Sequence, residues 1–565
     1  MHKKELKNIP QADNISYLVN RGKKYYQQRN LSSALDNFQK VIEIDPNNLT
    51  SLFLISNIKN EIGDYKTAIK IYKRILTIIP NNLDVQINLC VALFKDGQVI
   101  FSRNILDQIV KKFPQNGYAW NNLAKILRES GEISEAISCY KKAIEFSENT
   151  APMESNMLFA YSFSIDYSPE EIAEAHFEWG RSHDNYKQKK MNFKTERNIN
   201  QRPLRIGYVS PDFRKHAVMF FLKPILENHI YSKFKIYCYS DVQTEDNETL
   251  FVKNNADHFF NCSSLSNDEL ANKIEQDKIN ILVDLAGHSS KNRLLVFAQK
   301  PAPVQITYLG YQNTTGLKKI DYFITDNWAN PQGDGDHLFS EKILRLSECF
   351  LCFRPPENAP KVNEAPLIKN GFITFGVFNN FSRINDWMIS TWIKILKKIP
   401  DSRIIFQSQP FSDSDFSNQF LNRFNREGII SSRITLYPKG SLDNYFHRHN
   451  EVDLILATHP VNGASTICNA LWMGTPVLAC SGQTFASRVA GSILHLLGLE
   501  DLITYSLDEY IQKAILLSQD HNILVKTRKI LRPLMTNSSL TNGKQFTKKL
   551  ELAYQKMWES YCIEH

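Results

Sequence analysis

Leu204-Arg205-Ile206-Gly207-Tyr208-Val209-Ser210-Pro211-Asp212-Phe213-Arg214-Lys215-His216 is where the pattern of this chain changes. Residues 205–210 read as a short strand that ends in a Ser-Pro-Asp loop. His216 follows in that loop, and the C-terminal end of a parallel strand is a good place for acid–base work or ligand contact. With 14 histidines in the chain, position alone does not assign it. Downstream, further strands are expected at 234–240, 279–285, 304–309 and 322–325, with helical segments between several of them. The largely apolar run 279–285 has the character of a buried parallel strand. A second alternating set covers 372–375, 403–406, 434–437, 452–456 and 476–479. Alternation of this kind predicts two parallel, helix-covered sheets. Two Rossmann-like halves in series leave a cleft that suits a nucleotide ligand at the strand C-terminal ends.

Upstream of Leu204 the chain is periodic instead. Pro46, Pro80 and Pro114 fall 34 residues apart. Ala34, Ala68, Ser102 and Ala136 keep that period, as do Phe38, Tyr72, Leu106 and Tyr140, and Arg29, Gly63, Gly97 and Gly131. The small residue lets two antiparallel helices approach, and the larger apolar one fills the groove toward the next repeat. Glycine opens the turn, and proline stops the second helix. These columns resemble the tetratricopeptide repeat, with about four copies over residues 15–150. Such a superhelix is expected to dock an acceptor protein or peptide in its groove; a spacer or a homodimerisation arm is the alternative use. Residues 151–203 read as a helical linker, in which Ser168, Pro169 and Glu171 form an N-cap, a first helical position and a capping-box partner. Its polar end, Asp184 to Arg202, reads as an exposed connection.

Composition narrows the class. Hydrophobic residues make up 42% and charged residues 22%, as in ordinary folded proteins. A formal charge of +8 over 565 residues helps attract anions but does not mark a nucleic-acid binder. Met1-His2-Lys3-Lys4-Glu5-Leu6-Lys7 leads into no apolar run, and no stretch is long enough for a membrane span. Nine scattered cysteines, with one C-x-x-C at Cys349 and Cys352 inside a strand-like run 346–353, read as buried thiols in a reducing, cytoplasmic compartment.

Candidate chemistry sits in few places. Asn462-Gly463-Ala464-Ser465-Thr466 opens a helix, where free N–H groups and two hydroxyls suit a diphosphate; simple capping by Ser465 or Thr466 is the competing reading. Asp334-Gly335-Asp336 and Asp413-Ser414-Asp415 have D-x-D spacing but fall in polar loops, so no metal site is expected.

The segment from Leu204 to Trp558 resembles the protein O-linked N-acetylglucosamine transferases, glycosyltransferase family 41, in their bacterial and SPINDLY-like branch. The resemblance rests on residues 205–213 with His216, 284–288, 300–311, Thr314-Thr315-Gly316, 375–380, 471–476 and Ser487-Arg488-Val489. It implies a GT-B fold behind a tetratricopeptide superhelix, in an α plus α/β chain. The two halves would span 204–360 and 361–545, with a C-terminal helix over 546–565. It implies an inverting, metal-independent transfer, without cofactor, from a nucleotide-sugar (a UDP-sugar, UDP-GlcNAc foremost) to protein Ser/Thr hydroxyls. By the same match His216, Asp212 and Arg383 are the catalytic groups. Asn380, Gly440, Arg448, Gly463, Ala464, Ser465, Thr466 and Asn469 would hold the donor. Arg383 stands where the family has lysine, Asn469 where it has a carboxylate, Ala464 where it has His, Gly or Thr, and Gln407 where a basic residue is common. These departures support one alternative, a weakly active or non-catalytic scaffold that partners an active transferase.

Overall fold

The computed structural model describes residues 11–184 and 203–564. The Met1–Lys7 stretch, read as leading into no apolar run, and the polar connection beyond Asp184 lie outside them. Contacts divide the chain into two compact units, Met1–Ile126 with Glu145–Ser147, and Leu127–Ile144 with Glu148–His565.

The first unit is a helical array whose periodic columns do what their chemistry suggests. Ala34, Ala68 and Ser102 are wholly buried at helix crossings, and Phe38, Tyr72 and Leu106 are wholly buried beside them. Gly63 and Gly97 take φ of +85° and +93° in the inter-helix turns. Arg29 adopts φ +59° in the equivalent turn, uncommon for a side-chain-bearing residue, and pairs with Glu61 at 2.9 Å. Helix Leu31–Ile44 ends two residues before Pro46, and helix Tyr65–Ile78 likewise before Pro80. Helix starts use a device the periodic columns do not contain: Asn30, Asn48, Asp64 and Asn82 each accept the N–H three residues on.

The second unit takes in the turn at Gly131 and the helices Ala151–Tyr161 and Pro169–His183. The capping box is present: the Glu171 N–H donates to Ser168 Oγ at 3.2 Å, and the Ser168 N–H donates to Glu171 at 2.8 Å. These helices are part of the body that follows. A Cβ on Gly180 would run into the Gly316 carbonyl, and one on Gly316 into the His176 carbonyl, so two backbones touch where this helix crosses the 314–317 loop. His176, fully buried, donates from Nδ1 to the Ile172 carbonyl at 2.7 Å and accepts from the Tyr311 hydroxyl at 2.7 Å.

Two parallel sheets follow. The first holds β1 (Leu204–Ser210), β2 (Phe234–Ser240), β3 (His258–Asn261), β4 (Ile281–Asp284), β5 (Val304–Thr307), β6 (Tyr322–Asp326) and β7 (Lys342–Leu346), in the order β3-β2-β1-β4-β5-β6-β7. The second holds β8 (Thr374–Val377), β9 (Arg403–Gln407), β10 (Ile434–Tyr437), β11 (Leu454–Leu456), β12 (Val477–Cys480) and β13 (Ile503–Thr504), in the order β10-β9-β8-β11-β12-β13. Every pairing is parallel, and the chain order reverses beside β1 and beside β8, the switch points where α/β sheets bind ligands. The halves meet through Phe485, 5.1 Å from the rings of both Phe323 and Phe350, and through Ser492 Oγ donating to Asp326 at 2.6 Å.

Some expectations are corrected. The strand-like run 346–353 ends as a strand at Leu346, because Phe350 N–H donates to the Asp326 carboxylate rather than to a ladder. All nine cysteines are buried and none is in a disulfide, and burial pushes Cys352 up to about 12. The last helix starts at Gly543 and packs on the first half, where Glu551 accepts from His229 Nδ1 at 3.0 Å and from the Ile230 N–H at 2.7 Å.

Candidate functional site

The site forms where the C-terminal ends of β1 and β4 face those of β8 and β11. On the first side Ser210 Oγ accepts the Asp212 N–H at 3.0 Å, which fixes the loop leaving β1. Asp212 then lies 3.2 Å from Arg214 and 3.5 Å from His216 Nδ1. Burial lowers the His216 pKa; Asp212 opposes this, while Arg214 and Lys439 add to it. The imidazole is therefore neutral at pH 7 and able to accept a proton. Lys439 belongs to the loop after β10, so its field on His216 shows that the two halves close on one site. The loop after β4 is held by Asp284, which accepts from Ala286 N–H, Gly287 N–H and Thr307 Oγ1 at 3.1, 2.8 and 2.9 Å. Burial raises Asp284 to about 6. His288 donates from Nε2 to the Thr315 carbonyl at 2.9 Å and accepts from Ser155 at 3.0 Å, tying this loop to the linker helices.

On the second side, β11 runs into the loop 457–463 and then helix Ala464–Trp472. Gly463 is the N-cap, and no side chain caps this helix, so Ser465 and Thr466 leave its first N–H groups free. That removes the simple-capping reading. The Arg383 guanidinium lies against Gly463: a Cβ there would collide with Arg383 Nη1 and stand 3.1 Å from Thr466 Oγ1. Arg383 makes no ion pair among the described residues, and its buried Nε has no partner. Burial pulls its pKa down to about 10, which leaves it protonated at neutral pH. A buried cation with no counter-charge, at the positive end of a helix, is a site built for an anion. Deeper in, Asn469 is buried with its Oδ1 unpartnered, and the Tyr445 phenol, raised by burial, faces Asn469 and Thr466.

The expected residues thus divide. Arg383, Gly463, Ala464, Thr466 and Asn469 gather at one helix start, with Ser465 in the same turn, and Asp212 and His216 pair across the cleft. Asn380 is exposed at the mouth, beside the 3-10 turn Phe381–Arg383. Gly440 is exposed after β10. Arg448 stacks on Tyr437 at 3.4 Å and pairs with Glu451 at 2.7 Å, so its charge is already partnered. Gln407 donates to the Pro438 carbonyl at 3.3 Å. Tyr445 and Gln312 were not foreseen; Gln312 Nε2 donates to the Asn462 carbonyl at 3.2 Å and joins the two halves beside the anion site. Only the three-residue spacing of Tyr445 and Arg448 on one helix pointed to the tyrosine. Of the D-x-D pairs, Asp334 pairs with Arg488 at 2.6 Å, Asp336 with Arg345, and Asp413 caps a helix. Among the described residues no three His, Cys, Asp or Glu side chains are arranged to hold a metal ion, and no helix is long and apolar enough to cross a membrane.

The family model for glycosyl transferase family 41 matches residues 157–354 and 363–550. Tetratricopeptide repeat models match 15–48, 49–82 and 117–149, leaving aside the repeat in which Ser102 and Leu106 replace the usual alanine and aromatic residue. A rice protein (Oryza sativa subsp. japonica), the probable UDP-N-acetylglucosamine–peptide N-acetylglucosaminyltransferase SPINDLY, is 35% identical over 441 residues, 75% of this chain and 46% of its own length. The barley protein of that name (Hordeum vulgare) is 37% identical over 413 residues, 72% of this chain and 43% of its own. The chain thus spans less than half the length of these relatives. The solved structure of a mutant of Thermobaculum terrenum O-GlcNAc transferase superposes with a TM-score of 0.80 at 28% identity, covering 98% of this chain and 99% of that one.

Proposed function

Because the chain belongs to glycosyl transferase family 41, we propose that it transfers N-acetylglucosamine from UDP-GlcNAc to Ser or Thr hydroxyls of proteins, with inversion and without a metal. The observation that carries this reading is the unpartnered Arg383 cation at the uncapped start of helix Ala464–Trp472. In the transfer, the acceptor oxygen bonds to the anomeric carbon as the bond from that carbon to the diphosphate breaks. The electron pair leaves on the diphosphate oxygen, where Arg383 and the N–H groups of residues 464–466 receive the charge. The hydroxyl proton passes to His216, or to Asp212 through water. Asn469 and Tyr445 fit the neutral, hydroxyl-rich part of a nucleoside. Docking of the acceptor by the repeat array, and a cytoplasmic setting, belong to the same reading.

Two measurements test it. A donor screen by calorimetry and hydrolysis, with UDP-GlcNAc, UDP-glucose, UDP-GalNAc and GDP-fucose, is expected to show binding and slow turnover of UDP-GlcNAc. Binding of none by the folded protein would replace this reading with the scaffold one. The pH profile tests the base. Since His216 is held below its usual 6.5, kcat/KM should rise with pH along a limb whose apparent pKa is below 6.5 and be flat from pH 7 to 8. His216→Ala should lower the plateau by about 10²–10⁴ and abolish the limb. A limb that survives in that variant would belong to another group, such as Asp284.

A further inference from the structure

In the column of turn glycines, Gly63 and Gly131 have nearly the same torsion, φ +85° and +82°, but different surroundings. A Cβ at Gly63 would meet nothing nearer than the Tyr65 hydroxyl at 4.0 Å. At Gly131 it would stand 3.0 Å from the Ile384 carbonyl oxygen and 3.1 Å from the Phe381 ring. The inter-helix turn explains a glycine at both places. It does not explain the close approach to a second backbone at Gly131, whose turn belongs to the same compact unit as the two sheets.

The backbone it meets is that of the 3-10 turn Phe381–Arg383 and the residue after it. Arg383 has no ion pair among the described residues and its Nε has no partner, so no fixed charge holds its head group. Where the guanidinium lies is therefore set from below, by the turn. The Arg383 N–H donates to the Asn380 carbonyl at 3.0 Å, and the Ile384 N–H to the Phe381 carbonyl at 2.8 Å. Phe381 is buried against Phe411, Phe416 and Phe420, with ring centroids 4.9–5.6 Å away. The Gly131 turn adds a further wall, and it is itself tightly closed: the Ser130 and Glu132 N–H groups both donate to the Leu127 carbonyl, at 3.1 and 2.9 Å. Behind it, Arg128 lies over the Phe159 ring at 4.9 Å, and Phe159 lies 6.2 Å from the ring of Tyr311 in the loop after β5. A continuous run of packed groups thus leads from the first half, through the linker and the last repeat, to the cation of the second half.

We propose that the turn at Gly131 is a positioning element for Arg383: it seats the 381–384 backbone so that the guanidinium meets the departing diphosphate. This rests on the transferase reading above and makes the last repeat part of the catalytic assembly, apart from any docking by the array. Gly131 acts through the cation and not on the donor itself. A side chain there must push the 381–384 turn by at least a few tenths of an ångström. Misplacing a reacting group by about 1 Å costs about 10²-fold, so a shift of this size should cost about five- to tenfold.

Asparagine tolerates positive φ, so Gly131→Asn probes the contact, and Gly63→Asn, at the same torsion, is its control. In acceptor-free hydrolysis of UDP-GlcNAc, Gly131→Asn should lower kcat/KM about five- to tenfold, and Gly63→Asn should leave it unchanged. In an Arg383→Met background the Gly131→Asn change should cost less than about twofold, because the group it misplaces is gone. Phe381→Leu disturbs the seat from its other side and should repeat this pattern, which decides the matter if Gly131→Asn does not fold. Equal losses in both backgrounds would make the turn merely structural and overturn the proposal, as would no loss in either variant. Calorimetry reads the cation without turnover: Gly131→Asn should weaken binding of inorganic pyrophosphate several-fold only where Arg383 is present, and leave uridine binding unchanged. Weakening of both ligands alike would again mean general damage and overturn it. That pyrophosphate pattern in a protein that hydrolyses no nucleotide-sugar would sink the transferase reading and leave the positioning role standing. Hydrolysis indifferent to Gly131 and Phe381 does the reverse, and a wild type that neither binds pyrophosphate nor hydrolyses a donor ends both.

Discussion

Arg383→Met should lower transfer by roughly 10²–10³, about 3–4 kcal/mol of transition-state stabilisation, without lowering the stability of the unliganded protein. The two halves of this expectation have one cause. Arg383 is buried, protonated and without a counter-charge, so in the empty site its charge costs desolvation that no neighbour offsets. Methionine keeps most of the stem's packing and removes that cost. With a diphosphate bound the balance reverses, since the guanidinium can fork onto two oxygens. The wild type should therefore gain thermal midpoint with UDP, as any ligand of the native state produces, and the variant should lose most of that gain. A variant that unfolds more easily but still turns over would make Arg383 a structural residue. Arg383→Lys keeps the charge and gives up the fork. Its activity should fall between the other two; a gain over wild type would mean that the natural arginine attenuates the enzyme.

Gly180→Ala should be the most damaging single-methyl change outside the site, costing more than about 3 kcal/mol. Gly180 lies within a helix and needs no special torsion; what it needs is space, because the Gly316 carbonyl occupies the position of a Cβ. Neither partner can yield. The helix is held by the His176 and Tyr311 hydrogen bonds, and the 314–317 loop by the Thr315 N–H donating to Glu341 at 2.8 Å and by the Thr315 carbonyl on His288. Gly333→Ala is the control: φ is +79° but nothing lies within 4 Å, so it should cost only about 1 kcal/mol. Thermal or denaturant unfolding of the two variants separates collision from torsion. Similar small losses in both would show that the crossing can relax.

What could be read before the structure was whatever repeats or alternates. Four columns at a fixed period recover the helical array, and apolar runs recover ten of the thirteen strands, because burial is written into side-chain type. The missing β3 is short and only partly buried, so it carries no such mark. The strand at 304–309 was read too long at its end, where apolar residues continue into a cleft loop, and that at 452–456 at its start, where the Asp453 carboxylate accepts the Leu367 and Thr374 N–H groups. In the site, the Asp212–His216 pair and the helix start at Gly463 are local and were legible. Gln312 meeting Asn462, and Tyr445 meeting Asn469, join residues from separate loops and helices, and nothing in their immediate neighbours announces them. The contacts of Arg448 with Glu451 and Tyr437 were hidden for the same reason, since they depend on how one helix lies over one strand.

The contact between Gly180 and Gly316 also bears on how such a protein can be recombined. A gene segment that opened at the first parallel strand would look like a self-contained catalytic module. It would nevertheless expose the faces on which Leu158, Phe163, His176 and Trp179 are buried, and leave His288 without Ser155. The portable piece is longer and begins inside the last repeat, ahead of Leu127. Chimaeras that trade one helical array for another should be joined there, so that the final turn at Gly131 travels with the catalytic gene and only the preceding repeats are exchanged.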